Sequence, residues 1–494
     1  MRILCLNPGP IKEKVKRDDL LVKEGRCMER SGAWSNLRMP LTLAYCSNIL
    51  KKEGHDVKLI DDIALQYLGK AIDMESLIQE FKPDISIINT AMQSAFGEDM
   101  DNAELIKSKC PNSKIIFIGV APTLLSEPIL KIGPVDIVIR GEPEGIIANL
   151  IKCIKNKDSL KKIKGISYIE KNNIIHNLDN TECVDLDKLP YPDYENLPLD
   201  AYKTPVEKQK QVLIEASRGC PHRCIYCTGT KYYGHKFRHR DPKHVVDEME
   251  YVLKLGVTRV LFWADTFTLN KDFVFNLCDL IIERGLNKKM KWVCNSRVNT
   301  VSLEMLKKMD EAGCMLIGFG VENGNQEILD YVGKGIKLQD SMNAFKWIRQ
   351  TKILSAAHVV FGLAPFENEQ TIKKTIKFVH SLKPNYANFH IATPYPGTEF
   401  YDIYNEKGYI ICKDYRFLES ANANISLPNL SPEDLEKWRD KAFYGFFLTP
   451  RMVFQELHKI KNLKELINLF TNAFWFFDGW VQVGIKIKNR KQKV

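Results

Sequence analysis

No run of about 20 uninterrupted apolar residues occurs in the chain, so nothing in it reads as a helix that spans a bilayer. A disulfide framework is also missing. Ten of the thirteen cysteines are scattered without regular spacing and no secretory signal precedes them, which points to a reducing cytoplasm. The opening MRILCLNPGP soon meets proline and charge, and reads as a first strand, not a leader. Acidic residues are absent from the last nine positions, KIKNRKQKV, whose five positive charges make up half of the net +10. Residues 151–164 likewise carry six lysines against one aspartate. A solvated face or frayed tail accounts for such charge; a membrane surface is the sharper reading, and no nucleic-acid partner is expected.

What is present is ordinary for a globular protein: 45% hydrophobic and 27% charged residues over 494 positions. That length has room for roughly two to four domains. Over residues 1–150, buried β-rich runs at 2–8, 56–61, 84–89, 114–119 and 136–140 alternate with amphipathic helical patterns. One of these, LTLAYCSNILKKEG, puts Leu43, Cys46, Ile49 and Leu50 on one face and Gly54 at its end. The pattern predicts an α/β fold with a doubly wound, Rossmann-like parallel sheet, which binds ligands beyond the carboxyl ends of its strands. Residues 151–205 read as a hairpin turning at Asn172-Asn173, then a Pro-rich linker whose prolines forbid helix or central strand.

A second α/β series follows over 206–400, with strands at 211–217, 258–264, 290–296, 314–322, 354–362 and 386–392. Six β/α units predict a partial (β/α)6 barrel of the TIM type. Residues 401–494 read as mainly helical. Within them the aromatic-rich 466–485 is either a core helix or an interfacial segment, with Trp475 and Trp480 at a membrane boundary.

The densest chemistry lies in ASRGCPHRCIYCTGT, where Cys220, Cys224 and Cys227 leave the first barrel strand on a loop that Gly219 and Pro221 keep non-helical. Three converging thiolates suit an iron–sulfur cluster, and they leave one iron of a [4Fe-4S] cluster open. Structural zinc needs a fourth ligand; His222, His235 and His239 are near in sequence, but none completes a familiar paired spacing.

CPHRCIYC resembles the signature of the radical S-adenosylmethionine (SAM) superfamily. So do FWADTFTLN (262–270), NSRVN (295–299), GFGVENGNQEIL (318–329), VVFGLAPFENEQT (359–371) and TPYPGTEFY (393–401). The resemblance implies that SAM fills the open corner of the cluster, with Tyr226 packing near its adenine. By position, Glu322, Ser296 and Arg297 resemble polar contacts to SAM, with Asp265 and Arg240 as further candidates; surface ion pairs or helix caps are the ordinary alternatives. Gly318 and Gly320, on either side of Phe319, either admit a ligand to the backbone or relieve packing.

Residues 1–150 resemble the cobalamin-binding domain that precedes the barrel in one class of this superfamily, through 40–61 and 119–144. The D-x-H-x-x-G motif that supplies a histidine to cobalt is absent, and His55 in EGHDV lacks its context. Candidate cobalamin contacts are Thr90, Gln93, Gly119, Thr123, Gly141 and Glu142. The stretch 25–40 is long for a strand-to-helix connection; its Cys27, Arg30 and Trp34 are expected near cofactor or substrate.

The resemblance implies reductive cleavage of SAM, a radical that attacks an unactivated carbon, and a methyl group delivered through cobalamin to a small or lipid-like substrate. An external one-electron reductant of flavodoxin or ferredoxin type is implied as a partner. A cobalamin-dependent radical cyclase or oxidase is the alternative. A methylthiotransferase fits less well, because Cys5, Cys27, Cys46 and Cys110 do not form the ligand pattern of a second cluster. A non-catalytic iron–sulfur module is the contrasting class. The expected location is cytoplasmic, with peripheral membrane contact through the C terminus.

Overall fold

The computed structural model describes residues 1–11, 21–24, 27–30, 37–204, 207–420 and 422–457. They form two compact units. The first comprises Met1–Lys203 with Lys231–Tyr233 and Asp414–Arg416; the second comprises Thr204–Thr230, Gly234–Lys413 and the chain from Phe417.

The first unit is built on β1 (Arg2–Asn7), β4 (Asp56–Asp61), β5 (Ile85–Asn89), β6 (Lys114–Ile118), β7 (Ile137–Ile139), β8 (Ile166–Glu170) and β9 (Asn173–His176); a two-stranded hairpin, β2 (Leu21–Glu24) with β3 (Cys27–Arg30), follows β1. Ile3, Leu4, Cys5 and Leu6 are all fully buried, as are Ile85, Ile87, Ile88 and Ile115 to Ile118. Such two-sided burial explains runs with no polar alternation. The sheet order is β4-β1-β5-β6-β7-β8-β9, the first five strands parallel and the last two antiparallel. Counting parallel strands along the chain, the order is 2-1-3-4-5, which reverses between β1 and β5. In such sheets the crevice beyond the carboxyl ends at that reversal is where ligands bind.

Residues 151–205 form the predicted hairpin, and the division between the two units falls at Lys203/Thr204. The hairpin also joins the sheet: β8 pairs with β7 and extends it. Its turn is Lys171-Asn172, with φ of 49° and 64°, because Glu170 pairs with Asn173 and draws that asparagine into β9. The Pro-rich stretch also belongs to the first unit. Its helical structure is confined to single 3-10 turns at Leu186–Lys188 and Tyr194–Asn196, yet Tyr194 and Tyr202 are buried and Asp193 accepts from Ser47 Oγ at 2.7 Å and Lys51 Nζ at 2.5 Å. This docking covers the helix Leu41–Lys52 on more than its apolar face, so Leu41 to Ser47 are all buried while the predicted core residue Ile49 is half-buried.

The second unit is a six-stranded parallel sheet in sequential order: β10 (Gln211–Glu215), β13 (Arg259–Trp263), β14 (Lys291–Ser296), β15 (Cys314–Glu322), β16 (Leu354–Phe361) and β17 (Tyr386–Ile391). Helices Pro242–Lys254, Lys271–Glu283, Leu303–Glu311, Gln326–Tyr331, Leu338–Ile348 and Glu369–Leu382 provide the crossovers, giving the predicted partial barrel. In β14 and β17 buried and half-buried residues alternate. The buried set packs on the helices and the other set points inward. A small antiparallel pair, β11 (Ser217–Arg218) and β12 (Arg238–His239), closes the base of loop 219–237. After β17 the described chain has helices Glu399–Glu406, Pro432–Phe447 and Pro450–Leu457, separated by a non-helical stretch with a bridge from Ile410 to Ile425. The aromatic segment 466–485 lies outside the described residues.

Candidate functional site

Loop 219–237 begins with a residue that only glycine suits. Gly219 has φ +80°, and a Cβ there would meet the Lys236 carbonyl oxygen at 2.2 Å. Its N–H donates to Asp265 Oδ2 at 2.8 Å, Cys220 N–H donates to Gly234 O at 3.3 Å, and Cys227 N–H donates to Cys224 O at 3.1 Å. Asp265, at the carboxyl end of β13, therefore fixes the start of the loop. Cys220, Cys224 and Cys227 are all half-buried, and Cys220 Sγ lies 3.9 Å from Thr266 Oγ1. Among the described residues no three Cys, His, Asp or Glu side chains stand close enough together to hold a metal as they are. The donor chemistry nevertheless fits an iron–sulfur cluster: three thiols on one loop whose two ends are pinned.

Behind the loop, Arg297 at the end of β14 is buried. Its Nη1 lies 3.9 Å from Cys224 Sγ, Nη2 donates to Lys334 O, and Nε to Asn299 Oδ1 at 3.3 Å. Ser296 Oγ bonds with Thr268 Oγ1 and lies 3.3 Å from Thr300 Oγ1. Tyr226 is half-buried; burial, then Glu322 and the thiols of Cys224 and Cys227, push its hydroxyl well above the ordinary range. It stays protonated. His222 is pushed down to about 4 by burial and by the charges of Arg297 and Lys334, so it is neutral, and its buried Nε2 has no hydrogen-bond partner.

Glu322 ends β15 with φ +62°, a conformation that disfavours a side chain. Burial raises its carboxyl, but Lys334 Nζ at 2.6 Å, with His358 and His390, more than offsets this and holds it below its usual value. The two glycines before it now have a reason. A Cβ on Gly318 would lie 2.3 Å from Asn295 Oδ1 and 2.8 Å from His358 Nε2; one on Gly320 would lie 2.5 Å from Glu322 Oε1. Gly318 makes room for polar side chains of the two neighbouring strands, and Gly320 for the Glu322–Lys334 pair.

Of the six residues predicted to contact SAM, Tyr226, Arg297 and Glu322 thus share one neighbourhood with the cysteine loop. Ser296 precedes Arg297, and Asp265 anchors the loop. Arg240 is placed differently: it is buried, pairs with Glu248 and donates to Glu215 O at 3.2 Å. The sequence reading overlooked Lys334, His358 and His390. The histidine rings stack with centroids 6.2 Å apart, and each is held, His358 Nδ1 by Asn388 at 3.3 Å and His390 Nδ1 by Ser420 at 3.1 Å. A histidine at an inward position of an otherwise apolar strand was the available signal.

In the first unit, the candidate cobalamin contacts gather at the carboxyl ends of β5, β6 and β7. Thr90 N–H donates to Ile118 O at 2.9 Å. Gly119, with φ +115°, packs so closely that a Cβ would lie 2.4 Å from Thr90 O. Thr123 Oγ1 donates to Gly119 O at 2.8 Å and accepts from Gly141 N–H at 3.0 Å, tying two of these loops together. Gly141 has nothing nearer its Cβ position than 3.7 Å. Gln93 is buried and Glu142 half-buried. Loops of small residues over the sheet's ligand-binding end fit a large planar group. Trp34 and the side chains of Cys27 and Arg30 lie outside the described residues, so that expectation is not addressed. His55 sits at the opposite, amino end, beside β4. A groove of about 580 Å³ lined by Arg2, Lys82, Asp84 and Lys114 is also at that amino end, away from this crevice.

Comparison with known proteins identifies both domains. The family model for the radical SAM superfamily matches residues 214–379, and that for the B12 binding domain matches 37–151. An uncharacterized methyltransferase from Pyrococcus horikoshii is 31% identical over 85% of this chain and 90% of its own length. The anaerobic magnesium-protoporphyrin IX monomethyl ester cyclase of Cereibacter sphaeroides is 27% identical over 76% of this chain and 61% of its own. Among solved structures, the radical SAM methyltransferase TsrM from Kitasatospora setae, with cobalamin and a [4Fe-4S] cluster bound, superimposes with a TM-score of 0.70. It covers 97% of this chain and 99% of its own at 15% identity, which establishes a shared fold.

Proposed function

Because the chain belongs to the radical SAM superfamily and carries a B12-binding domain ahead of its barrel, we propose that it is a methyltransferase acting on an unactivated carbon of a small or lipid-like molecule. The observation that carries this reading is the similarity, along nine-tenths of its length, to a relative named as a methyltransferase. When bound, the cluster, SAM and cobalamin supply one-electron bond cleavage and a transferable methyl group.

The chain's own residues do the positioning. Cys220, Cys224 and Cys227 hold the cluster, and Asp265 sets the entry of their loop. Glu322, kept ionised by Lys334, would offer SAM a polar contact, as would Arg297 and Ser296. Tyr226 packs on the adenine as a neutral ring. Arg240 acts at a remove, bracing the chain behind β10. Thr90, Gln93, Gly119, Thr123, Gly141 and Glu142 form the cobalamin cradle. An external one-electron reductant is the required partner. Membrane-surface contact through Trp475, Trp480 and the terminal lysines is the remaining element of this reading, and binding of the intact protein to anionic vesicles decides it.

A cyclase or oxidase is the second reading, favoured by the 27% identity to an anaerobic cyclase. Product analysis with methyl-labelled SAM, in cells with and without the gene, separates the two. Label in a gene-dependent product supports methyl transfer; an unlabelled, ring-closed or oxidised product overturns it. Absence of reductive SAM cleavage by the reconstituted protein refutes both in favour of a non-catalytic iron–sulfur module.

A further inference from the structure

The turn Val332–Gly335, which follows the helix Gln326–Tyr331, touches the cysteine loop twice and the arginine beside it once. Val332 O accepts from Ile225 N–H at 3.1 Å, inside the cysteine motif. Gly333, with φ +65°, packs on the next turn of that loop: a Cβ would stand 2.9 Å from Arg223 O. Lys334 O accepts from Arg297 Nη2, and the other branch of the same guanidinium lies 3.9 Å from Cys224 Sγ. The side chain of Lys334 points elsewhere. It is buried and pairs with Glu322 Oε1 at 2.6 Å, in the space that Gly320 leaves open.

We propose that Lys334 is a positioning residue that couples the cysteine loop to Glu322. Its backbone holds Arg297 against the loop; its ammonium keeps Glu322 ionised and occupies Oε1, leaving Oε2 to accept from an N–H or O–H group of the ligand. A single residue thereby sets the spacing between the metal-binding loop and the carboxylate read as a SAM contact. The inference rests on the reading of Glu322 as a SAM contact. The chemistry is that of a buried ion pair whose negative partner is shared: without the lysine, a carboxylate in this setting is driven toward its protonated form and loses capacity to accept hydrogen bonds from a ligand.

The test uses the full chain with its cluster reconstituted. Iron content, SAM affinity by equilibrium dialysis, and the electron paramagnetic resonance spectrum of the reduced cluster with and without SAM are measured for Lys334→Met, Lys334→Arg, Glu322→Gln and the double variant Glu322→Gln/Lys334→Met. Lys334→Met is expected to retain iron, to bind SAM about tenfold more weakly, and to lose the SAM-induced spectral change. Lys334→Arg is expected to restore both. The double variant is expected to match Glu322→Gln, because the lysine acts only through the carboxylate. Wild-type affinity in Lys334→Met, with a loss in Glu322→Gln, overturns the coupling while sparing the SAM-contact reading. Wild-type affinity in Glu322→Gln overturns that reading itself. Should Lys334→Met fail to fold, the double variant, which leaves neither charge unpaired, decides: a further loss of about tenfold beyond Glu322→Gln makes the lysine an independent contact and overturns the proposal.

Discussion

Arg297 Nη1 lies 3.9 Å from Cys224 Sγ, so a guanidinium buried behind the loop faces one of the three thiols. A fixed positive charge there is placed to offset the negative charge of a thiolate-held cluster. Arg297→Lys keeps the charge but loses the fork that reaches Lys334 O and Asn299 together. It is expected to retain iron and to bind SAM about tenfold more weakly, read by dialysis. Arg297→Ala is expected to lose iron as well.

Replacing Cys220, Cys224 or Cys227 singly by alanine should abolish both iron incorporation and reductive SAM cleavage. The ten other cysteines should be individually dispensable, Cys5, Cys278 and Cys294 being buried in packing positions. Iron assay and chromatographic analysis of SAM products check this for each variant.

Gly219→Ala must displace the Lys236 carbonyl in addition to adopting a positive φ, a cost of about 1–2 kcal/mol for the backbone alone. The expected result is a folded protein with a sharply reduced iron content. Gly256→Ala is the control: it shares φ +80° but has nothing within 4 Å of its Cβ position, so it should lose a little stability and no iron. Equal iron loss in both would show that the close approach at Gly219 is irrelevant.

Much of this was legible in the sequence because buried parallel strands leave continuous apolar runs, and because cysteine spacing and strand-end glycines are local. What escaped has one physical cause. Lys334 meets Glu322 across a helix and turn, and His358 meets His390 across a full βα crossover; no local pattern records such pairings. The hairpin at 165–177 was visible as a hairpin, but its membership in the sheet depends on an edge that β7 happens to offer. The linker was judged by its prolines, while Tyr194 and Tyr202 decided its fate by burying themselves.

Glu367 is pushed up to about 7 by burial, although Gly362 N–H, Leu363 N–H and Asn323 Nδ2 donate to it. Its folded value lies above the ordinary 4.5. The folded chain therefore binds this proton more tightly, and stability from this group declines as pH rises from about 4.5 to 7. The ordinary histidine and carboxylate titrations cancel in a comparison with Glu367→Gln. Relative to wild type, that variant should gain about 2–3 kcal/mol between pH 5 and pH 8, measured by urea unfolding at both. A pH-independent difference would mean that Glu367 titrates normally.

On the cobalamin side, Gly119→Ala must push back the Thr90 carbonyl and give up φ +115°. The crevice loops then shift. Binding of hydroxocobalamin, followed by absorbance after gel filtration, should weaken by about tenfold or more, with iron content unchanged. Undiminished cobalamin retention would move the cradle elsewhere on the first unit.

Glu322 occupies a backbone conformation that glycine adopts freely and glutamate does not, and it does so inside a buried ion pair whose replacement by apolar groups often stabilises a protein. Removing both partners, Glu322→Gly with Lys334→Met, relieves the positive φ and the desolvated charges but leaves a void where the carboxylate stood. If Glu322 is the SAM contact proposed above, a population selected only for thermal survival has no reason to keep either charge. A stabilisation campaign on this scaffold therefore has to score function at every round.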